Sequence, residues 1–276
     1  MKTVLAISAT DSCGGAGLAA DVRAIAANRA HAAAVVTAVT AQTSHSVESV
    51  HALPAAVIAA QLGAVLGDLR VAAVKSGVIG SRDAAETVAG FLAPLTLPYV
   101  LDPVAVATSG GLLVPAAAVE AMASLLFPLA RVITPNAAEA AALTGFDVRT
   151  RADAAHAGSA LLASGCGAVL VKGGHLEDDE AVDVLVTAAG AQTFASPRLA
   201  NPNTHGTGCT LASAIAANLA NGRDLVDAVT RARAFVAGAI RGGYRIGGGP
   251  GPVDQLWSLR EASAPCDSPT QEESRS

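Results

Sequence analysis

Short apolar runs alternate with alanine-rich segments along most of this chain. Residues 3–8, 34–40, 71–75, 99–102, 132–134, 168–172 and 182–187 are apolar nearly throughout, rather than at every second position. A strand covered on both faces reads this way, whereas a half-exposed strand alternates. Between these runs, residues 18–29, 54–67, 81–92, 115–126, 137–143 and 151–164 read as helices. Two more follow at 211–220, stopped by Asn221-Gly222, and at 225–240, capped by Asp224. Alternating strands and helices predict an α/β fold of three layers, α/β/α, with a mainly parallel central sheet and right-handed crossovers. Connections before residue 250 are short, so residues 1–260 read as one domain. The glycine-rich stretch 242–251 reads as a loop within it, and the polar segment 261–276 as a disordered tail.

Composition narrows the class. Hydrophobic residues make up 51% of the chain and charged ones 15%, enough for a sizeable core. Aromatics are only 3%, so Ala, Val and Leu must fill it. A net charge of -5 with no basic cluster argues against a nucleic-acid surface. Cys13, Cys166, Cys209 and Cys266 are far apart, which speaks against a disulfide framework or zinc site and for a reducing cytoplasm. The apolar start from Val4 to Ile7 is too short for a signal-peptide core, and no run of about 18 apolar residues predicts a membrane span.

The chemistry concentrates in Asn203-Thr204-His205-Gly206-Thr207-Gly208-Cys209-Thr210. Gly206-Thr207-Gly208 is a flexible turn entering the helix that continues at Leu211. Free N–H groups and the helix dipole there make an anion site. Cys209 stands at its mouth, where the same dipole favours the thiolate. A phosphate cradle beside a potential base points to phosphoryl transfer onto a small molecule. Taken alone, the same residues also fit a capping turn with a buried cysteine.

Polar residues just beyond the predicted strands mark one edge of the sheet, the usual ligand edge of an α/β fold. They are Asp11, Gln42, Lys75-Ser76-Gly77, Asp102, Asn136 and Lys172. The loop Asp11-Ser12-Cys13-Gly14-Gly15-Ala16-Gly17 lacks both the P-loop ending and the dinucleotide fingerprint, but lets backbone approach a flat ligand. Asp21 shares a helical stripe with Leu18 and Ile25, which partly buries it. It reads either as an acid favoured by the helix dipole or as an acceptor for a ligand N–H or hydroxyl. Asn136 and Glu139 have the spacing of a capping box, and are also residue types that hold hydrated Mg²⁺ near phosphates. Lys172 before two glycines suits an ammonium on a phosphate.

Together these motifs resemble the ribokinase-like superfamily, and within it the hydroxymethylpyrimidine/phosphomethylpyrimidine kinases of thiamine biosynthesis. The likeness runs from about Val4 to Trp257. It rests on Asp11 to Gly17 with Asp21, Thr37 to Gln42, Leu101-Asp102-Pro103-Val104, Ile133 to Asn136 with Glu139, Val171 to His175, and Asn203 to Thr210. The resemblance implies a cytoplasmic, homodimeric kinase using ATP and Mg²⁺. It would phosphorylate 4-amino-5-hydroxymethyl-2-methylpyrimidine and then the monophosphate. Asp21, Gln42, Asp11, Gly77 and Val104 would line the pyrimidine. Asn136, Lys172, Thr204, Gly206 and Gly208 would address ATP, with Glu139 and Asp102 toward the metal. Cys209 would be the base, beside the anion hole of Gly206, Thr207 and Gly208, with Lys172 assisting. Cysteine replaces the aspartate of most superfamily sugar kinases. The chain departs from the family at Thr108, where lysine is usual, at Gly111, where an acid is common, and at Val78, where methionine is typical. A pyridoxal kinase on the same scaffold, a non-catalytic pyrimidine sensor, and acyl transfer by Cys209 with His205 are the alternatives. The last has no orienting acid evident in sequence.

Overall fold

The computed structural model describes residues 1–104, 114–174 and 176–263. Its central strand shows how the layers arise. In β1 (Thr3–Ser8) the side chains from Val4 to Ile7 are all buried. Leu5 and Ile7 enter one core, Val4 and Ala6 the other. A strand buried on both faces must be apolar at every position, and this one is.

After β1 the chain continues as α1 (Gly17–Ala27), β2 (His31–Val36), β3 (Ala38–Gln42), β4 (Val47–Ala52), α2 (Ala55–Asp68), β5 (Val71–Ser76), α3 (Arg82–Leu92) and β6 (Tyr99–Leu101). Then follow α4 (Ala116–Leu125), β7 (Val132–Ile133), α5 (Ala137–Thr144), α6 (Arg151–Leu162), β8 (Val169–Val171), β9 (Glu180–Thr187) and β10 (Gly190–Pro197). The last elements are α7 (Thr207–Ala220), α8 (Leu225–Arg241) and α9 (Trp257–Ser263). Eight strands form one sheet in the order β10-β9-β8-β7-β6-β5-β1-β2. The pairs from β8 to β2 are parallel, and β9 and β10 add antiparallel strands at one edge. Helices α2 to α6 pack on one face, and α1, α7 and α8 on the other. This is the three-layer arrangement that the apolar pattern predicts.

Caps set several helix starts. Asn136 with Glu139 and Thr150 with Asp153 make complete capping boxes, while Ser81 and Asp224 accept single backbone bonds.

Two strands differ from expectation. The run 34–40 is not one strand: it breaks at the buried Thr37, whose hydroxyl donates to the Val78 carbonyl at 2.6 Å. Beyond the break, β3 leaves the main sheet and pairs with β4 as a separate antiparallel ribbon. Neither β4 nor β10 is visible as an apolar run, because both are largely exposed and so rich in polar residues. At the far end, α9 carries helical backbone through Ser263, past the expected start of the tail at 261. The remainder, 264–276, lies outside the described residues. Among the described residues no helix is long and apolar enough to cross a membrane.

Candidate active site

Two glycine loops meet beside the β3–β4 ribbon. Asp11 organises the first. Its carboxylate accepts from the backbone N–H groups of Cys13 (2.9 Å), Gly15 (3.0 Å) and Ala16 (2.7 Å). The same carboxylate meets His205 Nε2 at 2.9 Å. Burial works to raise the Asp11 carboxyl, but His205 and the amides outweigh it and hold it below its ordinary value. His205 therefore has an orienting acid, one that lies 194 residues away in sequence. Gln42 Nε2 stands 3.4 Å from the same ring nitrogen, and its backbone is held by Ser12 in two bonds of 2.7 and 2.8 Å.

Gly206, with φ 82°, caps α7 in the left-handed region, and a Cβ there would run into the Gly15 carbonyl. Only glycine fits both demands. Thr207 donates its hydroxyl to the Thr204 carbonyl at 2.6 Å, closing the turn. The buried Gln255 ties the loops from behind, reaching the Gly15 carbonyl (3.3 Å) and Thr210 Oγ1 (3.4 Å).

Charged groups occupy the opposite flank. Lys172 Nζ lies 2.6 Å from Asp102 Oδ1 and 3.8 Å from Glu139 Oε2. Thr134 donates to Asp102 Oδ1 at 2.9 Å. Asp102 Oδ2 is buried with no hydrogen-bond partner. Glu139 Oε2 also accepts from the Asn136 N–H at 2.7 Å, so the capping box and the charged cluster share one carboxylate. Burial pushes Glu139 up to about 7, against Lys172, which pulls it down. Burial disfavours the Lys172 ammonium, but Asp102 and Glu139 hold it above its ordinary value. Gly208 joins this flank to the loop: a Cβ there would lie 3.2 Å from Lys172 Nζ and 3.4 Å from Asp102 Oδ2. Among the described residues, no group of three or more His, Cys, Asp or Glu gathers to hold a metal. Two hard carboxylates with one free oxygen still suit a cation that takes its other ligands from phosphate and water.

Two expectations need correction. Asp21 is fully buried in the second turn of α1, with both oxygens on Lys75 Nζ (2.7 and 2.8 Å) and a third bond from Ser213 Oγ (2.8 Å). It does not line a pyrimidine pocket: the stripe it shares with Leu18 and Ile25 turns it wholly inward. Lys75 is equally buried and committed to Asp21. Cys209, third in α7, does not have a thiol near neutrality. Burial pushes it up to about 11; Lys75 pulls it down, Asp21 and Asp102 push it up, and the Gly17 N–H pulls it down. Desolvation outweighs the lowering influences of Lys75 and the Gly17 N–H. Of the other expected residues, Gly77 sits over Ser8 and Lys75, and Val104 packs in a small apolar cluster with Ala9, Ala38 and Val78. Position 108 and Gly111 lie outside the described residues. Sequence reasoning gave no role to Gln255, Ser12, Thr134 or Ser213, and no local signal marks them, since each works through a partner distant in the chain.

A family model described as phosphomethylpyrimidine kinase matches residues 11–254, from the Asp11 loop to the end of the site. The chain belongs to the phosphomethylpyrimidine kinase family. Its similarity to the hydroxymethylpyrimidine/phosphomethylpyrimidine kinase of Streptomyces coelicolor is 45% identity over 258 residues, covering 94% of this chain and 96% of the relative. For the kinase of that name from Escherichia coli it is 41% over 253 residues, covering 90% and 95%. Among solved structures, an ADP complex of Bacillus subtilis pyridoxal kinase superposes with a TM-score of 0.87 at 31% identity, covering 95% of this chain and 99% of that one. The phosphomethylpyrimidine kinase of Clostridium difficile gives 0.77 at 34%, covering 87% and 100%. The ribokinase-like fold of this family member thus agrees with its sequence pattern.

Proposed function

We propose that this family member transfers the γ-phosphoryl group of ATP to the hydroxymethyl group of 4-amino-5-hydroxymethyl-2-methylpyrimidine, and then phosphorylates the resulting monophosphate. One observation carries the reading. The N-terminus of α7 stands between two unlike flanks: an amide and imidazole flank of Gln42 and His205, and a charged flank of Lys172, Asp102 and Glu139. A polar heteroaromatic acceptor suits the first flank and a polyphosphate the second. Family membership and the 45% identical relative support the same pairing.

Phosphoryl transfer asks for positioning and charge stabilisation more than for covalent chemistry. Gln42 orients the ring, with Val104 as an apolar wall. The N–H groups of Gly206 and Gly208 receive the charge that develops on the transferring oxygens, while that of Thr207 is given to the Thr204 carbonyl at 3.2 Å and holds the turn. Lys172 neutralises phosphate charge, and Asn136 fixes Glu139 through the capping box. Asp102 and Glu139 are the residues that would hold Mg²⁺, the free Asp102 Oδ2 fitting that role. Bound there, Mg²⁺ would offset negative charge on the phosphates. Cys209 takes the hydroxyl proton. Its high thiol value means that the reactive thiolate is a minor form at neutral pH.

Pyridoxal is the second acceptor to test, because solved pyridoxal kinases share the fold at 29 to 31% identity. Free thiols at Cys13, Cys166 and Cys209 suit a reducing cytoplasm. A homodimer is expected from the resemblance, and light scattering checks it. The reading is tested by steady-state ATP consumption. The hydroxymethylpyrimidine should stimulate it strongly, and pyridoxal less. A rate independent of either acceptor overturns the reading and returns the sensor.

A further inference from the structure

The pairing of β8 with β9 ends at Val171 and Val184, and Lys172 follows at once. Both peptide groups that flank the Lys172 Cα are then held. The Lys172 N–H donates to the Pro135 carbonyl at 2.8 Å. The next N–H, that of Gly173, donates to Asp183 Oδ1 on β9, also at 2.8 Å. A peptide group is planar, so fixing these two N–H directions fixes φ and ψ at Lys172. The line along which its side chain leaves the backbone is fixed with them. Gly173 lies close against β9, since a Cβ there would run into the Val182 carbonyl. The second oxygen of Asp183 accepts from Arg233 Nε on α8 at 2.8 Å. Arg233 Nη2 also reaches the Ala181 carbonyl (3.0 Å) and Ser196 Oγ (3.2 Å), and the guanidinium lies over the Phe194 ring. The two side chains keep only 13% and 15% of their surface exposed. A pair so deeply placed is a poor stability device, since well-packed apolar substitutes are often as stable or more so. Its contact with the turn after Lys172 suggests a different task.

We propose that Asp183 is a positioning residue for Lys172, its carboxylate anchored by Arg233 so that the Gly173 N–H is held and the lysine side chain is directed to the N-terminus of α7. The proposal rests on the reading that Lys172 neutralises phosphate charge. The ammonium stands 2.6 Å from Asp102 Oδ1, and a Cβ at Gly208 would lie 3.2 Å from it. A rotated Lys172–Gly173 peptide would swing the root of the side chain and lose both approaches. Lysine meets a phosphate as a point charge on a flexible four-carbon stem. Fixing that root lowers the ordering cost of binding. A carboxylate suits the task because each oxygen accepts from a different donor, one from the turn and one from the helix.

The test is a double-mutant cycle read by calorimetric binding of the non-hydrolysable ATP analogue AMP-PCP with excess Mg²⁺. It compares the native protein, Asp183→Ala, Lys172→Met and the double variant, with folding checked by circular dichroism. If Asp183→Ala does not fold, Asp183→Leu with Arg233→Met, which leaves no lone charge, takes its place in the same cycle. Asp183→Ala should weaken binding about tenfold, and Lys172→Met at least as much. On the Lys172→Met background the Asp183 substitution should cost less than about twofold, because the group it positions is already gone. A merely structural Asp183 would weaken binding equally on both backgrounds, and that result overturns the proposal. Native affinity in the folded Asp183 variant overturns it too. Native affinity in Lys172→Met overturns the phosphate reading of Lys172 itself and the proposal with it, so the two failures are told apart by which single variant binds normally.

Discussion

At the residue scale, Cys209 carries the sharpest expectations. Cys209→Ala should lower kcat roughly 10²-fold or more while the KM for ATP stays put, the cost of losing a positioned base. With the thiol near 11, kcat/KM of the native enzyme should climb as pH rises from neutrality, up to tenfold per pH unit, as the thiolate fraction grows. Cys209→Asp should lack that alkaline rise, because a carboxylate is already ionised there. A flat native profile would remove the thiolate from the mechanism. Gln42 is the residue most exposed to a substrate test: Gln42→Ala should raise the KM for the pyrimidine and leave that for ATP unchanged. Glu139 makes a prediction about stability. Its folded value, about 7, stands above the ordinary 4.5, so the folded state binds the extra proton between those values. Stability from this group is present at low pH and is lost as pH rises toward 7, by at most about 1.4 kcal/mol per pH unit. Thermal melts of the native protein and Glu139→Gln should therefore agree near pH 5 and separate by pH 7, with the native protein the less stable.

At the scale of elements, the Gly206 turn is the least replaceable piece. Gly206→Ala puts a Cβ on a left-handed residue and into the Gly15 carbonyl. The backbone strain alone costs on the order of 1–3 kcal/mol, and displacement of the α7 N-terminus should abolish most turnover. A variant with native melting temperature and rate would show that the two loops need not touch. The elements themselves were largely legible. Helices such as α5 and α8 announce themselves by Asn136, Glu139 and Asp224, because capping is a local signal. Strands β4 and β10 were not, because an exposed edge erases the apolar run. In the site, the order of motifs points to Asn136, Glu139, Lys172 and the α7 turn, and the structure brings them together. The pairing of residues across the chain was invisible. Asp11 with His205, and Asp21 with Lys75 and Ser213, are contacts between loops or helices far apart in sequence. The upward push on the Cys209 thiol is hidden for the same reason: a helix terminus is read locally, whereas desolvation depends on the whole fold.

At the scale of the molecule, the sheet explains why one edge gathers these groups. Parallel strands β1, β5, β6, β7 and β8 all end on it, and α7 packs across the opposite core to bring its N-terminus there. The arrangement sets the Gln42–His205 flank and the Lys172–Asp102–Glu139 flank on different strands, so under the proposed function acceptor and phosphate contacts can vary separately. The most direct measurement is product analysis by mass spectrometry after incubation with ATP and Mg²⁺, using the hydroxymethylpyrimidine, its monophosphate and pyridoxal in separate reactions. The account predicts one phosphoryl group added to the pyrimidine alcohol, a second added to the monophosphate, and slower conversion of pyridoxal. Efficient conversion of pyridoxal with both pyrimidines left unchanged would contradict it.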